Sequence, residues 1–195
     1  MIAEISERQK EIITVSLELI AKKGIQGLTI KNLAKKIGFT EAAVYRHYEN
    51  KIQILIAILD YFREGTNRFF VNEMKSEENA IQKIEYLFLN HFKTFSETPS
   101  LVSVVFSEEI FRNETVLIEK VAEIMKKNTQ ILLSIIESGQ KKSEIRSDIN
   151  SRNLAIIIMG SLRMFVKQWQ MSDYSFSLTE RGTEYIKSVI KLIKN

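Results

Sequence analysis

The side chains with the densest chemical potential lie between Leu28 and Lys51. Lys31, Lys35, Lys36, Arg46 and Lys51 stand there against Glu41 and Glu49, so this window holds three of the four net positive charges of the 195-residue chain. Residues 1–27 balance at four basic and four acidic, and the residues after Lys51 carry 19 basic and 18 acidic side chains. A basic patch so confined is the footprint expected where a polyanion binds. On charge alone, the solvated face of an ordinary helix is the simpler account. Elsewhere the chain offers little for catalysis. It has no GxGxxG, Walker A, GxSxG or HExxH run. Ser138-Gly-Gln-Lys141 and Ser188-Val-Ile-Lys191 fit SxxK but lack the partner motifs of that chemistry. The absence of Cys excludes disulfides, thiolate zinc sites and thiol nucleophiles. His47 makes a poor metal ligand, because the only other His is His91 and no ligand cluster surrounds either. The chain is read as a non-enzyme with no metal and no cofactor.

The elements that must position the basic window are helices. Seven Gly and one Pro in 195 residues are too few for the frequent turns of a sandwich or barrel, while 45% apolar residues exclude a disordered chain. Period and caps place helices at about 6–23, 29–38, 40–48, 51–72, 77–97, 100–112, 113–139, 151–171 and 178–194. The expected fold is all-α, with about nine helices. An N-terminal three-helix module (1–50) is followed by a helical bundle (51–195). The N-terminal residues lack the apolar run of a signal peptide, and the most apolar window, Leu154 to Leu162, falls short of the ~20 residues that span a bilayer. An intracellular, cytoplasmic protein without membrane contact is expected.

Within the module, Ile30, Leu33, Ala34 and Ile37 recur at i, i+3, i+4 and i+7, one buried stripe, with Lys31, Lys35 and Lys36 facing elsewhere. Thr29 caps this helix and Gly38 permits the tight turn after it. Thr40 caps the next helix, on which Val44 and Tyr48 share an inward face. Small Ala34, Gly38 and aliphatic Val44, four and six apart, match the general helix-turn-helix pattern.

The run from Leu28 to Leu55, above all Val44-Tyr45-Arg46-His47-Tyr48-Glu49-Asn50-Lys51, strongly resembles the DNA-binding domain of the TetR family of transcriptional regulators. The resemblance covers about residues 8–60; beyond it only helix pattern and size agree. It implies that Thr29 contacts a phosphate at a helix N-terminus, and that Thr40, Ala42 and Ala43 lie at the mouth of the major groove. Glu41 can accept from cytosine N4. Tyr45, His47 and Lys51 meet backbone phosphates, and Arg46 reaches a phosphate or a guanine. Tyr45 has the alternative of packing between helices, and Tyr48 reads as core. Two alanines on the reader helix leave room for thymine-methyl contact and DNA shape to carry part of the specificity.

In the body, residues 154–166 are apolar almost all round, which requires burial on more than one side: the bundle centre, or a partner. Leu178, Gly182, Tyr185, Ile186, Val189, Ile190 and Ile193 form a broad stripe on the last helix. The resemblance implies that the last two helices build a dimer interface and that an effector cavity lies among helices four to eight. Candidate lining residues are Phe62, Phe88, His91, Phe95, Phe106, Met125, Met159 and Arg163, each with ordinary core packing as its alternative. Arg163 can pair a ligand carboxylate or an acid such as Glu108 or Glu109. The far end of the fourth helix is expected near Phe69 and Phe70.

The reading is therefore a ligand-responsive repressor that binds a palindromic duplex as a homodimer and is released by an apolar or amphipathic molecule. A DNA-binding architectural or partner-recruiting protein without an effector is the alternative.

Overall fold

The structure, a computed structural model, describes residues 5–73, 77–107 and 114–195, with the side chains of residues 66–73 outside that description. Nine α-helices occur among the described residues: α1 (Glu7–Lys23), α2 (Ile30–Ile37), α3 (Glu41–Tyr45), α4 (Lys51–Glu73), α5 (Ala80–Glu97), α6 (Ser100–Val105), α7 (Thr115–Lys141), α8 (Ser151–Met171) and α9 (Leu178–Ile193). The all-α expectation holds. The side chains of Phe69 and Phe70, and the acids Glu108 and Glu109, lie outside the described residues.

Local chemistry accounts for most boundaries. Ser6 and Gln9 form a reciprocal capping box at α1, the Gln9 amide donating to the Ser6 hydroxyl and the Ser6 amide to Gln9 Oε1. Asn79 caps α5 by accepting from the Gln82 amide at 2.9 Å, so α5 starts at Ala80 rather than at residue 77. A 3-10 turn, Ile25–Gly27, connects α1 to α2. The third helix ends at Tyr45, not Tyr48: the amides of His47 and Tyr48 both turn back to the Val44 carbonyl. The sixth ends at Val105, and the seventh runs two residues past Gly139.

The chain divides into two compact units. One comprises residues 1–62 and 98–121, the other 63–97 and 122–195. In the first, α1 packs on α2, on the 3-10 turn and on α6, and α2 packs on α3. Ile12, Leu28, Leu33, Val44, Ile54 and Ile58 are sealed from solvent at its centre.

In the second unit α9 packs on α5 and α8. Phe92 of α5 contacts Phe88 edge-on at 5.8 Å and Phe165 of α8 at 5.5 Å, and Phe165 stacks on Tyr185 of α9 at 4.3 Å. Gly182 is the reason α9 can approach this closely, since a Cβ there would stand 2.4 Å from the Phe92 ring. The loop after α7 is tied into the same unit. Glu144 Oε2 accepts from the Ala80 amide at 2.7 Å, and the Arg146 amide donates to the Ile193 carbonyl at 2.9 Å.

The stripe read on the last helix is largely committed to this core: Leu178, Gly182, Ile186, Val189 and Ile193 are buried. The eighth helix corrects its sequence reading, because within the protomer only one of its faces is covered. Leu154, Ala155, Ile158, Leu162, Phe165, Val166 and Trp169 point inward. Ile156 stays 68% exposed and Met164 61%, with Ile157 and Met171 also open. No helix among the described residues is long and apolar enough to cross a membrane.

Candidate nucleic-acid interface

The α2–turn–α3 unit is built by two caps and one glycine. Thr29 Oγ1 accepts from the Asn32 amide at 3.1 Å, and Asn32 Nδ2 donates back to the Gly27 carbonyl at 2.9 Å, fixing the entry to α2. Gly38 sits at φ 83°, ψ 26°, a left-handed conformation that glycine adopts without steric cost. The amides of Gly38 and Phe39 both donate to the Ala34 carbonyl, closing the turn. Thr40 Oγ1 then accepts from the Ala43 amide at 3.2 Å and opens α3.

Inward, Leu33, Ala34, Val44 and Tyr48 are buried, and burial pushes the Tyr48 phenol above its usual range. Tyr48 is thus core, as expected. Outward, Thr29, Thr40, Glu41, Ala42 and Arg46 are exposed, Tyr45 is 49% exposed, and Ala43 and His47 are half-buried. The packing alternative for Tyr45 accounts for no more than half of its surface. These side chains surround a five-residue helix that spends only Val44 on full burial, so its remaining surface is available to a ligand.

Two features beyond the sequence reading hold this module. Lys36 of α2 pairs with Glu18 of α1, and that hydrogen bond and charge hold the Glu18 carboxyl below the ordinary carboxylate range. The Arg8 guanidinium lies 5.2 Å over the Phe39 ring, pinning the turn to α1. At the start of α4, Asn50 Oδ1 accepts from the Gln53 amide, capping the helix, and Gln53 Oε1 accepts from the Glu49 amide just before the cap. Lys51 Nζ donates to the Ile25 carbonyl at 2.8 Å. An ammonium has three donors, so this bond ties α4 to the 3-10 turn and is compatible with a phosphate contact.

The residues named for an effector are placed as follows. Phe62 belongs to the first unit, while Phe88, His91 and Phe95 line the buried face of α5 in the second. His91 Nδ1 is hydrogen-bonded to the Leu87 carbonyl at 2.8 Å, and burial holds its pKa below the usual value. Phe106 is half-buried just past α6. Met125 lies on the exposed side of α7, and Met159 is half-buried on α8. Arg163, the one charge in the apolar run of α8, lies on the exposed face with Met164.

Comparison with known proteins follows this geometry closely. Residues 12–58 match the family model described as bacterial regulatory proteins, tetR family, and residues 62–193 match that of the YsiA-like protein, C-terminal region. The fatty acid metabolism regulator protein of Bacillus subtilis is 25% identical over 188 residues, 95% of each chain. Among solved structures, the fatty acid degradation regulator FadR from Bacillus halodurans superposes with a TM-score of 0.82 at 23% identity, over 96% of each chain. FadR from Bacillus subtilis in complex with stearoyl-CoA gives 0.78 at 24% identity, over 93% of this chain and 97% of that one. At these identities the two structures establish a shared fold.

Proposed function

The chain belongs to the TetR family of bacterial transcriptional regulators, and from that premise we propose that it is a repressor, a homodimer that occupies a palindromic operator and leaves it when a small apolar or amphipathic effector binds. Residues 1–50 act as the DNA-binding domain and residues 51–195 as the effector-binding and dimerisation domain. The protein works in the cytoplasm and catalyses no reaction.

The observation that carries the DNA-binding reading is the α2–turn–α3 unit itself. Its inward residues are committed to packing, while Thr40, Glu41, Ala42, Tyr45 and Arg46 stand open on the most basic stretch of the chain. In this reading Thr29, Tyr45, His47 and Lys51 hold phosphates, which fixes position without reading sequence. Glu41, Ala42, Ala43 and Arg46 face base edges. One five-residue reader helix covers too few base pairs for a useful site. Two copies related by a two-fold axis, about 34–36 Å apart or somewhat more, read a palindrome. The open apolar face of α8 supports the dimer. The stearoyl-CoA complex of the Bacillus subtilis regulator supports a long acyl thioester as effector. Such a ligand releases DNA only through its preference for the unbound state, about 1.4 kcal/mol for each tenfold loss of operator affinity.

The test is a random-site selection with the purified protein, followed by titration of the selected duplex with and without stearoyl-CoA. A palindromic consensus whose affinity falls when the ligand is added is the expected result. Lys51→Ala weakens binding to every duplex and lowers the salt slope by about one. No sequence preference in the selection overturns the reading. So does equal ligand affinity with and without operator, for the ligand-responsive part.

A further inference from the structure

Helix α2 carries three lysines and no acid, and the fold treats the three unequally. Lys36 is paired with Glu18 of α1. Lys31 and Lys35 are exposed, and among the described residues neither has an ion-pair partner. They stand one turn apart on one side of the helix, about 6 Å along its axis, with Lys36 about 100° round from Lys35. Two like charges in that relation destabilise a helix, and Lys31 lies in the first turn, where a cation opposes the helix dipole. The solvated cations of α1 are handled otherwise: Arg8 pairs with Glu11 and Lys10 with Glu7, each at 2.7 Å and one turn away. An ordinary solvated face such as that one supplies an acid within a turn of each base. On α2 the two open charges repel in the free protein, and an approaching polyanion relieves that repulsion.

We propose that α2 is a second phosphate-binding element of the operator interface, in which Lys31 and Lys35 meet the DNA backbone and Glu18 withholds Lys36 from it. The proposal rests on the DNA-binding reading above and adds to it contacts from the helix before the reader. Lys31 follows by two residues Thr29, which that reading gives to a phosphate at the start of the same helix. Lysine ammoniums on phosphates hold position and leave base reading to α3. Glu18 has the complementary part. Its carboxylate pairs with Lys36 and also feels the charge of Lys22. It thereby neutralises a cation that, left open, adds affinity for every duplex alike.

The experiment titrates the full chain by fluorescence anisotropy at salt concentrations from about 50 to 200 mM, on the duplex recovered by selection and on an unrelated one. Lys31→Gln and Lys35→Gln each lower the slope of log affinity against log salt by about one per protomer, on both duplexes. Glu18→Gln steepens that slope by about one, because Lys36 is released to a phosphate. Glu18→Gln combined with Lys36→Gln returns it to the wild-type value. Partial unfolding weakens binding alike at every salt concentration, so the slope separates contact from folding. A Glu18 that merely braces α1 against α2 gives, on substitution, weaker binding at an unchanged slope. That result overturns the proposal, as does a wild-type slope in either Lys31→Gln or Lys35→Gln. So does a double variant as steep as Glu18→Gln alone, which assigns the new contact to Lys22. If Lys51→Ala flattens the slope and the α2 variants do not, the DNA-binding reading stands and this inference falls. A wild-type protein that binds neither duplex removes both.

Discussion

Ile156→Asp gives the sharpest test of the two-fold assembly, because the structure sets its magnitude. Burying a whole Ile side chain is worth about 1.5–3 kcal/mol. Ile156 is 68% exposed in the protomer, so a partner that covers it removes about two-thirds of that, about 1–2 kcal/mol per copy. A two-fold axis makes the substitution twice, giving about 2–4 kcal/mol, or about 30- to 700-fold in the dimer dissociation constant. The buried carboxylate adds to this. The protomer pays little, since most of that side chain touches nothing within it. Gly160→Arg is the companion variant: a Cβ at Gly160 meets no atom within 4 Å, so the protomer accepts it and a packed interface does not. Sedimentation over a dilution series reads the dissociation constant, and far-ultraviolet circular dichroism checks that the helices persist. Operator affinity measured below the new dissociation constant falls with dimer population. If Ile156→Asp and Gly160→Arg sediment as the wild-type protein does, at every concentration, the α8 face is not the interface.

Further outcomes follow from single contacts. Thr40→Ala removes the cap of the reader helix, worth about 1 kcal/mol, and lowers operator affinity about fivefold in fluorescence anisotropy; Thr40→Ser retains it. Gly182→Ala drives a methyl into the Phe92 ring and costs about 1–3 kcal/mol in urea unfolding, and Phe92→Leu in the same chain recovers part of the loss. His91 is held neutral by burial with its pKa below the ordinary 6.5. The unfolded chain therefore takes up a proton below about pH 6.5 that the folded chain refuses, and stability falls as the pH drops through that value. Thermal melts at pH 7.5 and 5.5 separate for the wild-type protein and lie closer together for His91→Gln.

What could be read from the sequence was what local chemistry decides. The caps at Thr29 and Thr40 and the left-handed turn at Gly38 use groups within three or four residues of the backbone groups they satisfy, so their spelling is contiguous. The early end of α3 was not legible. It depends on Tyr48 turning into the core, which draws the last amides back to the Val44 carbonyl. Gly182 read as one more member of an apolar stripe. Its function, admitting the Phe92 ring, is visible only once α5 and α9 are packed. Lys51 read as a phosphate contact at a helix start, and the carbonyl it holds belongs to a residue 26 positions earlier.

The body was harder to read, for a physical reason. Aromatic and Met content selects residues that fill space, and filling space is what cores and cavities have in common. Phe88 and Phe95 are sealed in their unit, whereas Met125, chosen on the same ground, is open to solvent. The same logic applies to α8. An all-round apolar helix states that both faces need cover but not who supplies it. The protomer covers Leu154, Ile158, Leu162 and Phe165 and leaves Ile156, Ile157 and Met164 open. Hydrophobicity that the fold does not consume is left for assembly, because a large exposed apolar face carries a solvation cost that only a partner removes. Substituting the inner residues of α8 therefore lowers protomer stability, whereas, in the proposed dimer, substituting the outer ones changes the concentration at which two protomers meet.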